Sequence, residues 1–299
     1  MGVPELLLHF DDEAVLAGRI AEAAACPAQR IECHRFPDGE LRLRLPEHLP
    51  PSVAVLRSLD HPNEKLVELL LAARCARALG ARSLTLLAPY LAYMRQDIAF
   101  VPGEAVSQRI VGAFLAELFD AVITVDPHLH RVSRLSDAVP ARAAIALSGA
   151  PLLAGLVAQR RDDPFLIGPD EESLQWVAGA AATYGFDHEV CRKIRHGDRD
   201  VEIALPDVPV AGRRVVILDD VASSGHTVAV AARLLLAAGA TSVDLAVTHA
   251  LFASDASERV REAGVGEVWS TDTIAHPSNA VSVAPALAAA LTGLSSALR

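Results

Sequence analysis

The chain has 299 residues, of which 52% are hydrophobic and 4% aromatic, and its formal net charge is −10 at pH 7. This length predicts about two domains, and the acidic balance argues against a general nucleic-acid-binding surface. The apolar runs are far shorter than the roughly 20 residues that a membrane span requires, and the N-terminus lacks the pattern of a secretory signal. The scattered cysteines form no CxxC pair, which is typical of free thiols in a reducing cytoplasm. We therefore expect a compact cytoplasmic protein with neither a nucleic-acid nor a membrane partner.

Short apolar strands alternate with Ala- and Leu-rich helical stretches along the chain, which predicts βαβ units and largely parallel sheets. In chain order, the first half has a hairpin strand of alternating polar and apolar residues, an apolar strand, a helix and a further strand. The second half repeats this series. The strand segments are residues 39–47, 53–56 and 80–90 in the first half, and 200–207, 215–218 and 239–249 in the second. Three resemblances in one order favour two copies of a single α/β domain, each a mainly parallel sheet flanked by helices. We place them at residues 1–147 and 148–299.

Only the second copy carries two adjacent carboxylates where a strand gives way to a helix. Residues 215–230 read VVILDDVASSGHTVAV, so Asp219 and Asp220 follow the strand, small and polar residues come next, and a helix is expected from near Thr227. Ligands of open α/β sheets lie beyond the carboxyl ends of strands, and the free N–H groups at a helix start favour a phosphate. Carboxylates suit vicinal sugar hydroxyls, alone or together with Mg²⁺. The stretch therefore predicts a sugar-phosphate site, although a capping Asp and a Ser turn would also explain single positions.

This stretch resembles the motif with which phosphoribosyltransferases bind phosphoribosyl diphosphate (PRPP). Further segments extend the resemblance over nearly the whole chain, to the ribose-phosphate pyrophosphokinase family. Those segments are Phe36-Pro-Asp-Gly-Glu40, residues 88–97 (APYLAYMRQD), Asp126-Pro-His128, Gly168-Pro-Asp170, residues 247–252 (VTHALF) and residues 270–277 (STDTIAHP). The family is built of two phosphoribosyltransferase-like domains, in agreement with the internal repeat.

The resemblance implies a Mg²⁺-dependent transferase of nucleotide biosynthesis, which moves the diphosphoryl group of ATP to ribose 5-phosphate and gives PRPP and AMP. It also implies a homo-oligomer built from dimers, because the family's adenine-binding hairpin often comes from a neighbouring subunit. The residues that match the family's motifs are Asp219, Asp220, Ser223, Ser224, Gly225, His226 and Thr227 for ribose 5-phosphate; Phe36, Asp38, Glu40, Arg95, Gln96 and Asp97 for ATP; His128 and Asp170 for the metal; and Lys193 and Arg195 for catalysis.

Plainer structural roles are also compatible with some of these residues. Pro37-Asp38-Gly39 would form a turn in any protein, and a histidine at a strand end is often only hydrogen-bonded. Lys193 and Arg195 match a mobile catalytic loop of the family, whose cations would suit the charge that develops on a transferring phosphorus. An exposed basic turn would account for the same two residues.

The chain departs from the family's usual pattern at three places. Residues 168–173 read GPDEES where many members have SPDxGG, the Gln/Gly/Phe-rich segment after His128 is missing, and His226 occupies a place more often filled by glycine. Two other functions therefore stay open. A phosphoribosyltransferase that consumes PRPP would leave the first domain without a role. A regulatory homologue without turnover fits the lost SPDxGG, but Lys193, Arg195, His128 and Asp170 speak against it.

Overall fold

The computed structural model describes residues 4–129, 131–195 and 201–297. The chain divides into two compact units, of which one comprises Met1–Leu147 together with Val283–Arg299 and the other Ser148–Ser282. In the described part of the chain, no helix is both long and apolar enough to cross a membrane.

The first unit is built on a six-stranded parallel sheet with a separate hairpin. Its strands are β1 (Leu6–His9), β2 (Ala28–Arg30), β3 (Glu32–Arg35), β4 (Leu41–Arg44), β5 (Ser52–Leu56), β6 (Ser83–Ala88), β7 (Ala121–Val125) and β8 (Ala143–Leu147). The sheet order is β2–β1–β5–β6–β7–β8, and all neighbours run parallel. Every residue of the central strand β5 is buried, because helices cover both faces of a parallel sheet. The remaining strands, β3 and β4, pair in antiparallel fashion.

The second unit repeats this architecture. Its strands are β9 (Pro164–Gly168), β10 (Asp187–Val190), β11 (Arg192–Arg195), β12 (Val201–Ala204), β13 (Arg214–Ala222), β14 (Ser242–Ala250), β15 (Val265–Thr271) and β16 (Asn279–Val281). The sheet order is β10–β9–β13–β14–β15–β16, again parallel throughout. Here β11 and β12 form the antiparallel hairpin. The predicted fold class, two α/β domains that each contain a mainly parallel sheet, is confirmed.

The C-terminal helix does not belong to the unit that precedes it in the chain. The helices are α1 (Ala14–Ala24), α2 (Pro62–Ala78), α3 (Ser107–Leu118), α4 (Leu135–Ala138), α5 (Ala150–Arg160), α6 (Leu174–Tyr184), α7 (His226–Ala237), α8 (Ala256–Glu262) and α9 (Ala284–Ala297). Single 3₁₀ turns lie at Asp11–Glu13 and Glu171–Ser173. Helix α9 packs on α1 of the first unit, whereas α5 packs on α6 of the second. The expected second domain, residues 148–299, is therefore wrong at its C-terminal end, because the apolar face of α1 is covered by the last helix of the chain.

Candidate active site

Both carboxylates of the central motif lie within strand β13 rather than after it. We expected the strand to end at Leu218, but it continues to Ala222 because it keeps pairing with β14. Its other neighbour, β9, pairs with it only as far as Ile217. Asp219 and Asp220 therefore lie where β13 extends beyond β9. Asp219 is half-buried and Asp220 is buried, and the backbone N–H of Asp220 donates to a carboxylate oxygen of Asp219 at 3.0 Å.

A third carboxylate, that of Asp170, joins this pair from the end of β9. Burial raises the pKa of Asp219 well above its ordinary value, and the negative charges of Asp220 and Asp170 raise it further. Asp170 also begins the short turn after β9, where its carboxylate accepts a hydrogen bond from the backbone N–H of Glu172 at 3.1 Å. Carboxylates that crowd together in this way call for a cation or for hydroxyl donors. The strand order brings Asp170, which the Gly-Pro-Asp motif had indicated as a metal ligand, close to Asp219, and the sequence had not predicted this approach.

The small-residue loop after β13 is held from outside by the segment that leads into α8. The carbonyl of Ser223 accepts a hydrogen bond from the backbone N–H of Ala253 at 3.0 Å. The carbonyl of Ser224 accepts one from the guanidinium of Arg259 at 2.5 Å, and Arg259 is itself ion-paired with Asp255. Arg259 was missed in the sequence, where its only signal is the four-residue spacing from Asp255 that is typical of an ion pair within a helix. The loop is thus positioned by backbone and side-chain contacts from α8 and the residues before it.

The start of α7 depends on Gly225. This residue has a φ of +70°, and a Cβ atom at its position would lie 3.0 Å from both the carbonyl oxygen of Ala256 and Cγ2 of Val260. No side chain caps the helix at this residue. The first N–H groups of a helix have no partner within it. The exposed residue His226 and the half-buried Thr227 open the helix, so the N–H groups of the first turn are placed to receive an anion.

Lys193 and Arg195 lie in a strand of the second hairpin. In β11, Lys193 pairs with Ile203 and Arg195 pairs with Val201. Their backbone forms a strand because it pairs with β12, so neither the expected loop nor the alternative basic turn describes it. Their side chains, and all of residues 196–200, lie outside the described part of the chain.

In the first unit, the expected adenine hairpin presents its turn to solvent. The backbone N–H of Phe36 donates to the carbonyl of Glu40 at 2.8 Å, Gly39 has a φ of +94°, and a carboxylate oxygen of Asp38 accepts from the N–H of Glu40. The predicted Pro-Asp-Gly turn is therefore present. The ring of Phe36 is 38% exposed and meets the ring of His34 edge-on, with centroids 4.9 Å apart. An exposed aromatic ring at a rigid tip is suited to stacking on a planar ligand.

The segment that carries Arg95, Gln96 and Asp97 follows β6, and its three polar residues differ in exposure. Arg95 is exposed and Gln96 is half-buried, whereas Asp97 is buried. The carboxylate of Asp97 accepts from the guanidinium of Arg131 at 2.7 Å and from the backbone N–H of Arg131 at 3.2 Å. Asp97 therefore ties the segment to the loop after β7, which contains half-buried His128. Arg131, which the sequence did not single out, supplies that tie.

The two expected metal ligands lie in different units, since His128 follows β7 and Asp170 follows β9. Among the described residues, no group of three or more His, Cys, Asp or Glu side chains is arranged to hold a metal ion. The crowded carboxylates beside β9 and β13 are nevertheless hard oxygen ligands of the type that Mg²⁺ prefers. They fit an ion that completes its coordination with phosphate oxygens and water.

The chain is similar to known proteins over almost its whole length. Residues 6–118 match the N-terminal domain of ribose phosphate pyrophosphokinase, and residues 141–289 match the phosphoribosyl transferase domain. A ribose-phosphate pyrophosphokinase of Methanopyrus kandleri is 36% identical, and the match covers 97% of this chain and 99% of that one. Ribose-phosphate pyrophosphokinase 1 of Archaeoglobus fulgidus is also 36% identical, over 96% of this chain and 100% of its own.

The fold has a counterpart among solved structures. The crystal structure of phosphoribosylpyrophosphate synthetase from Mycobacterium smegmatis superposes with a TM-score of 0.85, at 24% identity and over 98% of this chain and 99% of that one. This likeness supports the two-domain architecture, and the more similar archaeal sequences carry the assignment beyond the fold. The chain belongs to the ribose-phosphate pyrophosphokinase family, as its motifs predicted.

Proposed function

We propose that the chain is an active ribose-phosphate diphosphokinase, which transfers the diphosphoryl group of ATP to ribose 5-phosphate and yields PRPP and AMP. The observation that carries this proposal is the junction of β13 and α7, where two carboxylates and a helix start without a side-chain cap at Gly225 lie on one continuous stretch of chain. A PRPP-consuming phosphoribosyltransferase is not favoured, because relatives named ribose-phosphate pyrophosphokinase match both halves of the chain. Those names also disfavour a regulatory homologue without turnover.

The junction would bind ribose 5-phosphate in two parts. The N–H groups of the first turn of α7, together with the hydroxyls of Ser223, Ser224 and Thr227, would hold the 5-phosphate. Gly225 allows the backbone to close around it, and His226 adds a side chain at the rim. The ribose hydroxyls would donate to Asp219 and Asp220, which offsets the repulsion that raises the pKa of Asp219.

The first unit would supply the nucleotide site. The exposed ring of Phe36 stacks on adenine, and Asp38 and Glu40 at the same tip accept from its amino group. Arg95 and Gln96 contact the ATP, while Asp97 holds their segment in place through Arg131. Because Phe36 projects from an exposed hairpin, we propose that it completes the site of a neighbouring copy in a homo-oligomer built from dimers.

Enzymes of this family generally require Mg²⁺, and the carboxylates at the edge of the second sheet fit that ion. Asp170 would hold it near the phosphates together with Asp219 and Asp220, and the metal role of His128 stays a prediction. When bound, the ion supplies positive charge to the phosphate oxygens. Lys193 and Arg195 of β11 would add positive charge where negative charge develops during transfer. We place the reaction in the cytoplasm, in nucleotide biosynthesis.

The test is to incubate the pure protein with ATP, Mg²⁺ and ribose 5-phosphate and to follow the products by phosphorus NMR. We expect AMP and PRPP in equal amounts, and their loss in an Asp220→Asn variant. The matched control is Glu262→Gln, which removes an exposed acid from α8 of the same unit and should leave turnover unchanged. ADP as the product would indicate transfer of a single phosphoryl group and would overturn the proposal. Loss of added PRPP in the presence of a nucleobase, without PRPP synthesis, would favour the phosphoribosyltransferase.

A further inference from the structure

The first unit contains a counterpart of the sugar-phosphate site, and an arginine stands at its centre. β5 and β13 occupy the same place in the two sheet orders, as the third strand from the same edge. The apolar run of β5 begins at Val53 and that of β13 at Val215, and each of these residues pairs with the first strand of its own unit. Counted from these two residues, Arg57 falls at the position of Asp219. At the position where the second unit has the acid Asp219, the first unit therefore has the cation Arg57.

The guanidinium of Arg57 is buried, with 5% exposure, and is surrounded by three acids. Its Nε donates to Glu68 at 2.7 Å, and its Nη1 donates to both carboxylate oxygens of Asp12 at 2.6 and 2.8 Å. The same Nη1 lies 3.5 Å from a carboxylate oxygen of Glu13, and the ring of Phe10 lies 4.5 Å from the guanidinium carbon. The cluster fills the position that corresponds to the ligand site of the second unit.

This cluster is connected to the proposed nucleotide segment by hydrogen bonds. Glu13 accepts a hydrogen bond from the backbone N–H of Ser58, the residue next to Arg57. The hydroxyl oxygen of Ser58 accepts from the backbone N–H of Tyr90 at 3.1 Å, and the N–H of Leu59 donates to the carbonyl of Tyr90 at 2.9 Å. Tyr90 begins the stretch that leads to Arg95. The position of that stretch therefore depends on where the chain after β5 is held.

We propose that Arg57 is a positioning residue for the nucleotide segment, residues 90–97, which it holds through Glu13 and Ser58. This inference rests on the proposed function, because it assigns that segment to ATP. Two acids, Glu13 and Glu68, are buried beside Arg57, and the guanidinium offsets part of the cost of burying them in a low-dielectric site. Burial raises the pKa of Glu13 to about 8 even though Arg57 opposes that rise. If a side chain with fewer hydrogen bonds replaces Arg57, the acids move toward water. The backbone N–H of Ser58 then loses Glu13, the acceptor that holds it in place.

The expected effect is a selective loss of ATP affinity. Arg57→Lys keeps the charge but cannot reproduce the fork of hydrogen bonds to Glu68 and Asp12, nor hold its charge beside Glu13 in the same geometry. The loss of a charged hydrogen bond should displace residues 90–97. We therefore expect the KM for ATP to rise about tenfold, which corresponds to about 1.4 kcal/mol. The KM for ribose 5-phosphate should stay within about twofold, because Asp219 and its loop belong to the other unit.

The experiment measures both KM values by steady-state kinetics and the affinity for Mg²⁺–ATP by calorimetry without sugar phosphate. Arg77→Lys is the matched control, because Arg77 pairs with Asp120 at 2.8 Å in the same unit, and it should leave both KM values unchanged. Glu13→Leu removes the acceptor of Ser58 without altering Arg57, and it should reproduce the ATP-selective loss if Arg57→Lys fails to fold. Calorimetry separates the two proposals, because ATP binding is measurable even if the protein makes no PRPP. Unchanged ATP affinity in both variants, or equal losses for ATP and ribose 5-phosphate, would overturn the positioning role.

Discussion

Replacing Gly225 with alanine should impair the use of ribose 5-phosphate much more than it impairs folding. With a φ of +70°, Gly225 is in the left-handed region, which costs an alanine about 1–2 kcal/mol. The new Cβ would also lie 3.0 Å from the Ala256 carbonyl oxygen and 3.0 Å from a Val260 methyl group. One of these neighbours is backbone, so the loop itself must move by roughly a few tenths of an ångström to relieve the contact. That movement falls on the residues that would bind the 5-phosphate.

The kinetic consequence follows from how strongly rates depend on position. A displacement of about 1 Å can cost on the order of 10²-fold, so a shift of a few tenths should lower kcat/KM for ribose 5-phosphate by roughly tenfold. The KM for ATP should change little. Initial rates of AMP formation, with one substrate varied while the other is saturating, measure both effects.

Gly185 provides a matched control. It ends α6 with a φ of +69°, and a Cβ there would meet nothing within 4 Å. Gly185→Ala therefore carries the same conformational cost as Gly225→Ala without the contact, and both should lower the melting temperature by a few degrees, or about 2–4 °C per kcal/mol. Only Gly225→Ala should lower kcat/KM for ribose 5-phosphate. Equal kinetic losses in the two variants, or wild-type kinetics for Gly225→Ala, would refute the assignment of this loop to the phosphate.

Asp219→Asn should raise the melting temperature of the ligand-free protein, because it removes a carboxylate whose pKa is raised by burial and by two neighbouring acids. The same substitution should lower kcat/KM for ribose 5-phosphate at least about tenfold, the effect of about 1.4 kcal/mol. A melting temperature below that of the wild type, measured by calorimetry, would contradict the expected stabilisation. Lys193→Ala and Arg195→Ala should each lower kcat on the order of 10²-fold with little change in substrate affinity. Wild-type turnover by both variants in a steady-state assay would show that neither residue has a catalytic role. Glu13→Gln should change how stability depends on pH. Because folding raises the pKa of Glu13 from 4.5 to about 8, the native state holds this proton more tightly, and the wild type should lose stability relative to the variant as pH rises through that interval, by on the order of 1.4 kcal/mol per pKa unit. Urea unfolding of both proteins at pH 5 and pH 8 measures this difference, and parallel behaviour would show that Glu13 does not carry that shift.

The sequence by itself determined the features that depend on neighbours along the chain. The apolar run that forms β5 and the Pro-Asp-Gly turn after Phe36 are local patterns with one stable outcome each, a buried strand and a tight turn. The adjacent acids at Asp219 and Asp220, followed by small residues, identified a ligand site because folding alone gives no reason to place like charges together. Similar segments in a single order were sufficient to predict two copies of one α/β domain.

Only the tertiary structure decided which of these local features meet. Asp170 approaches Asp219 because β9 and β13 are adjacent in the sheet, and the buried partners of Arg57, Glu13 and Glu68, come from the turn after β1 and from α2. The C-terminal helix packs on the first unit although it follows the second along the chain. Most of these partners are far apart in sequence. Local periodicity predicts that a strand or helix forms and which of its faces is apolar, but many partners satisfy an apolar or charged face equally well. The choice among them is made by the packing of the whole unit.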